Sequence, residues 1–236
     1  FLVGRENVAV SKILVSLDIT EPVVQEAVKQ GAQLIVAHHP VIFGGTKTIT
    51  DQTETGRIVL QMVENGISAI CAHTNLDAAG GGVNEALALR LGLTDIGQLH
   101  QDGVDRQGRP YGIGRVGLVP EQPLYDFAMA VKRLLSANGI RLVDGGRPAH
   151  KIAVGGGACA SMMGDALALG CDTFITSDVK YNHFLEAKAF GLNLIDAGHF
   201  PTENVVCPVL QEWLMQRFPQ VTTSISQRHH EVFSYL

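Results

Sequence analysis

Four short stretches carry residue types that bind metal. They are LIVAHHPVIFGG with His38 and His39, CAHTNLD with His73 and Asp77, SDVKYNH with Asp178, and AGHFPTE with His199 and Glu203. Imidazole nitrogen and carboxylate oxygen together suit Zn, Mn, Fe, Co or Ni better than a thiolate-selective site would. Each stretch ends or follows an apolar run that reads as a strand. In open α/β sheets, ligands collect outside the carboxyl ends of strands, so the chain reads as building one buried metal centre from distant segments. Adjacent strand residues point to opposite faces. His38 and His39 must therefore leave regular strand geometry to share a site, or serve two neighbouring ions. Pro40 fits a break there, because the residue before proline is held to extended or turn geometry. Glu203 lies four residues beyond His199, so a helix opening at that point would aim both at one cavity. Pro201 is tolerated in a first helical turn.

Each residue also has a plainer reading. A lone histidine in an apolar run is more often a hydrogen-bonded core or surface group. Asp77 could cap the helix that follows it, and Glu203 could simply favour a helix N-terminus. His73 could hydrogen-bond a ligating carboxylate from outside the metal's own ligands. The set is persuasive only when taken together. Lys47 and Lys180 are candidate contacts for an anionic substrate, and otherwise ordinary solvated lysines. GGV at 81–83 and GGG at 155–157 could let backbone approach a phosphate or another strand. Neither matches a dinucleotide or phosphate-loop pattern. GIGRVG at 112–117 has dinucleotide-like spacing but falls inside an expected strand, and reads as structural.

The elements that position these residues alternate. Strands are expected at 13–19, 34–39 and 68–74, separated by helices at 21–31, 53–66 and 81–92. Thr20 and Gly31 read as start and stop signals for the first helix. A turn-rich interval spans 95–110. A second series follows, with a strand at 111–119, a helix at 123–139 and further alternation to a helix at 205–218 and a strand at 222–226. The fold class is therefore α/β, expected as two similar three-layer α/β/α halves with mixed, largely parallel sheets. The expected domains are 1–98 plus 200–236, carrying most metal ligands, and 99–199. The last helix and strand are expected to pack back on the first half.

Composition narrows the function classes. A chain of 236 residues with 46% hydrophobic content can bury a sizeable core. Charged residues are only 17%, which fits an outer surface partly buried in an oligomer. Net charge is −5, and no dense Lys/Arg tract gives a nucleic-acid footprint. Four cysteines without CxxC spacing read as reduced core residues of a cytoplasmic protein. No segment reads as a signal peptide or a membrane span. FLVG lacks an initiator Met and runs almost directly into a strand, so a preceding N-terminal stretch is expected.

LVG, SLDIT, AHHPVIF, AHTNLDAAGGGVNEALA, TFITSDVKYN and NLIDAGHFPTE together resemble the GTP cyclohydrolase 1 type 2 homologue family, in its short form without a central insert domain. The resemblance spans nearly the whole chain. It implies a dinuclear metal centre with two divalent ions per chain, held by His38, His39, Asp77, His199 and Glu203. His73 matches a histidine near that centre and is the candidate catalytic proton-transfer group. The resemblance also implies a toroidal homohexamer with its metal sites facing an internal cavity. The chain departs from the family pattern at Ser177, usually glycine, and at Asn182, often histidine, with His183 one position late.

The expected function is dinuclear metal-dependent hydrolysis of a small molecule. The resemblance implies a nucleotide as one candidate substrate, with metal-bound hydroxide attacking purine C8 as in GTP cyclohydrolysis; a phosphoester or amide-like bond would suit the same metal core. Two ions with a shared oxygen would lower the pKa of water for that purpose. The alternative is a non-catalytic metal-binding protein acting as regulator, metal chaperone or oligomeric interaction module.

Overall fold

The computed structural model describes residues 1–236. In chain order, β1 (Lys12–Ser16), α1 (Glu21–Gln30), β2 (Leu34–Ala37), α2 (Glu54–Glu64) and β3 (Ser68–Cys71) come first. α3 (Thr74–Ala78), α4 (Val83–Arg90), β4 (Thr94–Gln98), β5 (Gly103–Val104), β6 (Pro110–Tyr111), β7 (Arg115–Gln122) and α5 (Leu124–Leu134) follow. Then come β8 (Arg141–Val143), β9 (Ala149–Val154), a 3₁₀ turn (Ala160–Met162), α6 (Met163–Ala168), β10 (Thr173–Thr176) and α7 (Tyr181–Ala189). β11 (Asn193–Asp196), α8 (His199–Glu203), α9 (Val206–Arg217) and β12 (Thr222–Ile225) complete the chain. No helix is long and apolar enough to cross a membrane.

The chain divides into two compact units: Phe1–Leu76 with Cys207–His230, and Asp77–Val206 with Glu231–Leu236. The first holds a four-stranded sheet of order β12-β1-β2-β3, parallel throughout. Parallel neighbours need crossovers, and α1 and α2 supply them. Val23, Val24 and Ala27 of α1 and Ile58, Val59 and Met62 of α2 bury against Leu14, Ile35 and Ala69 of the strands. α1 stops at Gly31, whose left-handed φ of 67° lets its amide reach the carbonyls of Ala27 and Val28. Thr20 stands at the N-cap position with extended backbone, but its hydroxyl makes no capping bond. Thr53 does cap α2, accepting from Gly56 N–H at 3.1 Å. The C-terminal strand β12 pairs with β1, as expected, and Gln211 of α9 donates to Thr223 O at 3.0 Å.

The second unit holds a mixed sheet of order β4-β7-β9-β10-β11-β8, parallel at β9–β10–β11 and antiparallel elsewhere. The period-2 alternation of strand side chains separates its two cores. Ile152, Val154, Ile175 and Ile195 face Leu87 of α4 and Phe127 and Val131 of α5. Ala153, Phe174 and Leu194 face Met163 and Ala166 of α6 and Ala187 of α7. Three layers result, with helices on both faces of one sheet.

The expected seam at 95–110 does not coincide with the division. That interval contains β4 and the β5–β6 hairpin. β4 pairs with β7, and α4 packs into the core around Ile152 and Val154, so 77–98 joins the second unit. Residues 200–206 belong there too, so the ligand candidates do not gather mainly in the first unit as expected. His38, His39 and His73 fall in the first, and Asp77, His199 and Glu203 in the second.

Candidate metal centre

In the first unit, three adjacent parallel strands end at one edge, and each delivers a polar residue just past its last ladder position. Asp18 follows β1, His38 and His39 follow β2, and His73 follows β3. The strand expected over 34–39 stops at Ala37, so the two adjacent histidines are not bound by the opposite-face rule. The ladder persists just beyond it: His39 N–H donates to Leu17 O at 2.9 Å, and Ala72 N–H to Ala37 O at 2.9 Å. These bonds fix the backbone under the imidazoles. Ring centroids of His38, His39 and His73 lie 4.9, 5.3 and 5.6 Å apart pairwise. One ring nitrogen from each falls within 4.8 Å of the others.

Each of the first two imidazoles is oriented through Nδ1. His38, fully buried, has Nδ1 2.7 Å from Ala72 O. A carbonyl only accepts, so Nδ1 carries the proton and the lone pair sits on Nε2. His39 Nδ1 lies 2.7 Å from Asp18 Oδ1. Such a carboxylate partner fixes the ring and raises the basicity of its other nitrogen. His73 has Thr74 Oγ1 at 3.5 Å from Nδ1 and the Phe43 ring edge-on at 6.0 Å.

In the second unit, α8 begins at His199, with Pro201 in its first turn, and presents His199 and Glu203 on one face. Nε2 and Oε2 are 3.0 Å apart. Asp178, held at a left-handed φ of 52°, places Oδ2 2.6 Å from His199 Nδ1. The imidazole thus bridges two carboxylates, and its pKa is raised to about 9. The hydrogen bond to Glu203 is the main cause; burial pulls the other way, and the charges of Glu203 and Asp178 add to the rise. A proton held so tightly marks a place that favours positive charge.

Asp77 sits near the end of α3. Fully buried Asn84 ties it to the turn after β9, donating from Nδ2 to Asp77 O at 3.0 Å and accepting from Gly156 N–H at 2.9 Å. Asp77 and Glu203 both act on the Cys159 thiol. Burial and, after it, these two carboxylates push its pKa up to about 12.

The donors fit a borderline divalent cation. Imidazoles with the proton on Nδ1 and carboxylates within the same locales are what such ions take. Two contributors, Asp18 and Asn84, were not candidates from sequence. Asp18 orients His39; its signal is its position after β1, matching that of His38 after β2. Asp178, expected only as a strand-end carboxylate, is the outer partner of His199. Asn84 carried no signal at all. The glycine run at 155–157 is not a phosphate cradle. The amides of Gly155, Gly156 and Gly157 donate to Ile175 O, Asn84 Oδ1 and Thr202 Oγ1. Lys47 and Lys180 are exposed.

The model of the Duf34/NIF3 (NGG1p interacting factor 3) family matches residues 1–231. The chain belongs to this family. A protein of Clostridium perfringens named GTP cyclohydrolase 1 type 2 homolog is 34% identical over 238 residues, covering 100% of this chain and 90% of the relative. One of the same name from Streptomyces coelicolor is 38% identical over 207 residues, covering 86% and 72%. Among solved structures, a Bacillus cereus protein related to NIF3 superposes with a TM-score of 0.94 at 26% identity, covering 99% of this chain and 91% of that one. A hypothetical protein of Staphylococcus aureus gives 0.93 at 29% identity, covering 100% and 90%. Membership of the Duf34/NIF3 family and the histidine and carboxylate clusters together support a metal-dependent enzyme of this family.

Proposed function

We propose that this chain is a dinuclear metal-dependent hydrolase acting on a small molecule of the nucleotide class. His38, His39, Asp77, His199 and Glu203 would hold two divalent ions, and His73 would move a proton. The observation that carries this reading is the shared orientation of three imidazoles. His38, His39 and His199 each engage a carbonyl or carboxylate through Nδ1, the arrangement typical of metal-ligating histidine. When bound, a pair of such ions supplies a Lewis acid and lowers the pKa of water.

The protein's own part is to fix and tune. Asp18 and Asp178 hold the rings of His39 and His199. The strand ladder holds His38, and Asn84 holds the backbone of Asp77. His73, beside Thr74 and the two other histidines, would accept and return a proton. The name borne by the relatives suggests hydrolysis at purine C8, in which one water opens the imidazole ring to a formamide and a second releases the carbon as formate. The reading also includes a homohexamer and a cytoplasmic location. Exposed Tyr181, Leu185 and Phe190 around α7 support burial of that surface in an assembly, and four free cysteines support a reducing compartment.

The test is metal content and formate release from GTP on one preparation, beside a His38→Ala/Glu203→Ala variant. Two ions per chain and metal-dependent formate release, both lost in the variant, are expected. Bound metal without turnover would discard the GTP reaction and favour another substrate or a binding role.

A further inference from the structure

Gly157 is the last residue of the glycine run after β9, and its φ of +66° is one that residues with a Cβ rarely adopt. Its peptide is held on both sides. The N–H donates to Thr202 Oγ1 at 3.0 Å. The carbonyl accepts from Thr176 Oγ1 at 2.9 Å and from the amides of Ser177 and Cys159 at 3.0 Å each. Thr202 Oγ1 also lies 2.8 Å from Gly198 O and 2.9 Å from His199 O, so the turn and α8 are locked together.

The face of Gly157 that lacks a side chain is turned to the ligand candidates. A Cβ there would overlap Glu203 Oε1 and lie 3.0 Å from Glu203 Cδ and 3.3 Å from His199 Nε2. Its two neighbours in the run differ. A Cβ on Gly155 would meet Cys159 Cβ at 2.6 Å, and one on Gly156 would first meet Val83 Cγ1 at 2.9 Å, with Thr202 O at 3.3 Å and only the Cγ of Glu203, at an ordinary 3.5 Å, beyond it. Glu203 is 4% exposed, so its carboxylate has little room to retreat.

We infer that Gly157 is a positioning residue of the metal centre: the space its missing side chain leaves is the space the Glu203 carboxylate and His199 Nε2 need to meet an ion. The inference rests on the metal reading above. It makes the third glycine of the run a requirement for metal loading, where the other two serve packing.

The experiment compares Gly157→Ala with Gly146→Ala. Gly146 lies in the same unit with φ +86°, and a Cβ there would have nothing within 4 Å, so its variant reports backbone strain alone. Cobalt(II) titration, followed by the visible absorption of the bound ion, is expected to show at least a tenfold loss of affinity (~1.4 kcal/mol) for G157A and none for G146A. Thermal melting of chelator-treated protein supplies the second measurement, on Glu203→Ala, G157A and the double variant. The loss caused by G157A is expected to shrink, on the Glu203→Ala background, to that of G146A. Wild-type cobalt affinity in folded G157A, or equal losses in both backgrounds, overturns the inference. Should G157A not fold, folding of the double variant supports it and failure of both overturns it. Absence of cobalt uptake by the wild type would instead sink the metal reading, an outcome separate from the cycle on metal-free protein.

Discussion

The two clusters of candidate ligands are built in different ways. In the first unit, His38, His39 and His73 are placed by a parallel ladder: three neighbouring strands end together, and backbone bonds at 2.9 Å carry the register just past the last strand residue. In the second, His199 and Glu203 ride on a five-residue helix, held by side-chain bonds of Thr202 and Asp178 and by contact with a bare glycine. The first relies on repeated backbone pairing, the second on a few buried polar groups that each have one correct arrangement. Single substitutions should therefore damage the second cluster more readily than the first.

The largest effect should come from removing a ligand. Glu203→Ala and His38→Ala should each weaken metal binding by more than the roughly 100-fold that loss of an outer partner costs at most. Metal analysis after dialysis would check this, and retention of both ions by either variant would remove that residue from the set. Next comes Asn84→Ala, which strands Gly156 N–H and removes the anchor of Asp77. It should destabilise the protein by about 2–4 kcal/mol, the cost of unsatisfied buried polar groups. Hydrogen exchange should show the opening in the second unit and not in the first sheet.

The outer carboxylates sharpen the contrast. Asp18→Asn and Asp178→Asn should each lower metal affinity by about 10–100-fold with little change in melting temperature. Isothermal titration would read this, and a neutral result for both would mean that Nδ1 orientation is unimportant.

The pH dependence should follow His199. Its pKa of about 9 exceeds the ordinary 6.5, so protonation stabilises the metal-free folded state. That contribution is complete below pH 6.5 and fades as pH rises through 9. Binding a cation requires the proton to leave. Loading should then release a proton below pH 9, and affinity should fall by about tenfold per pH unit on acidification. Asp178→Asn should shift the onset of that fall to lower pH. A flat profile from pH 7 to 9 would show that His199 holds no proton in the metal-free protein.

The smallest effect expected is that of Thr53→Ala, which removes the α2 cap and should cost about 1 kcal/mol without altering metal content. A loss of metal in that variant would mean that the histidine cluster depends on α2 more than its own ladder suggests.

Sequence alone determined the alternation of strands and helices, because period-2 and period-3.6 apolar patterns are local properties of the chain. A break near Pro40 was legible, although the strand expected to reach residue 39 ends at Ala37, and the pairing of His199 with Glu203 was legible from their spacing and Pro201. The return of α9 and β12 to the first sheet was legible as well. The allocation of residues 77–98 was not. The pairing of β4 with β7 is non-local, and nothing in TDIGQ names its partner. Asp18, Asn84 and Gly157 were also invisible as site residues. An aspartate after a strand, a buried asparagine and one glycine among 26 become meaningful only once folding sets an imidazole, a peptide or a carboxylate beside them. Residue types and spacing reveal which groups can bind a metal. Which nitrogen carries the proton, and which backbone must lack a side chain, is decided by neighbours tens of residues away, and those distances exist only in the folded chain.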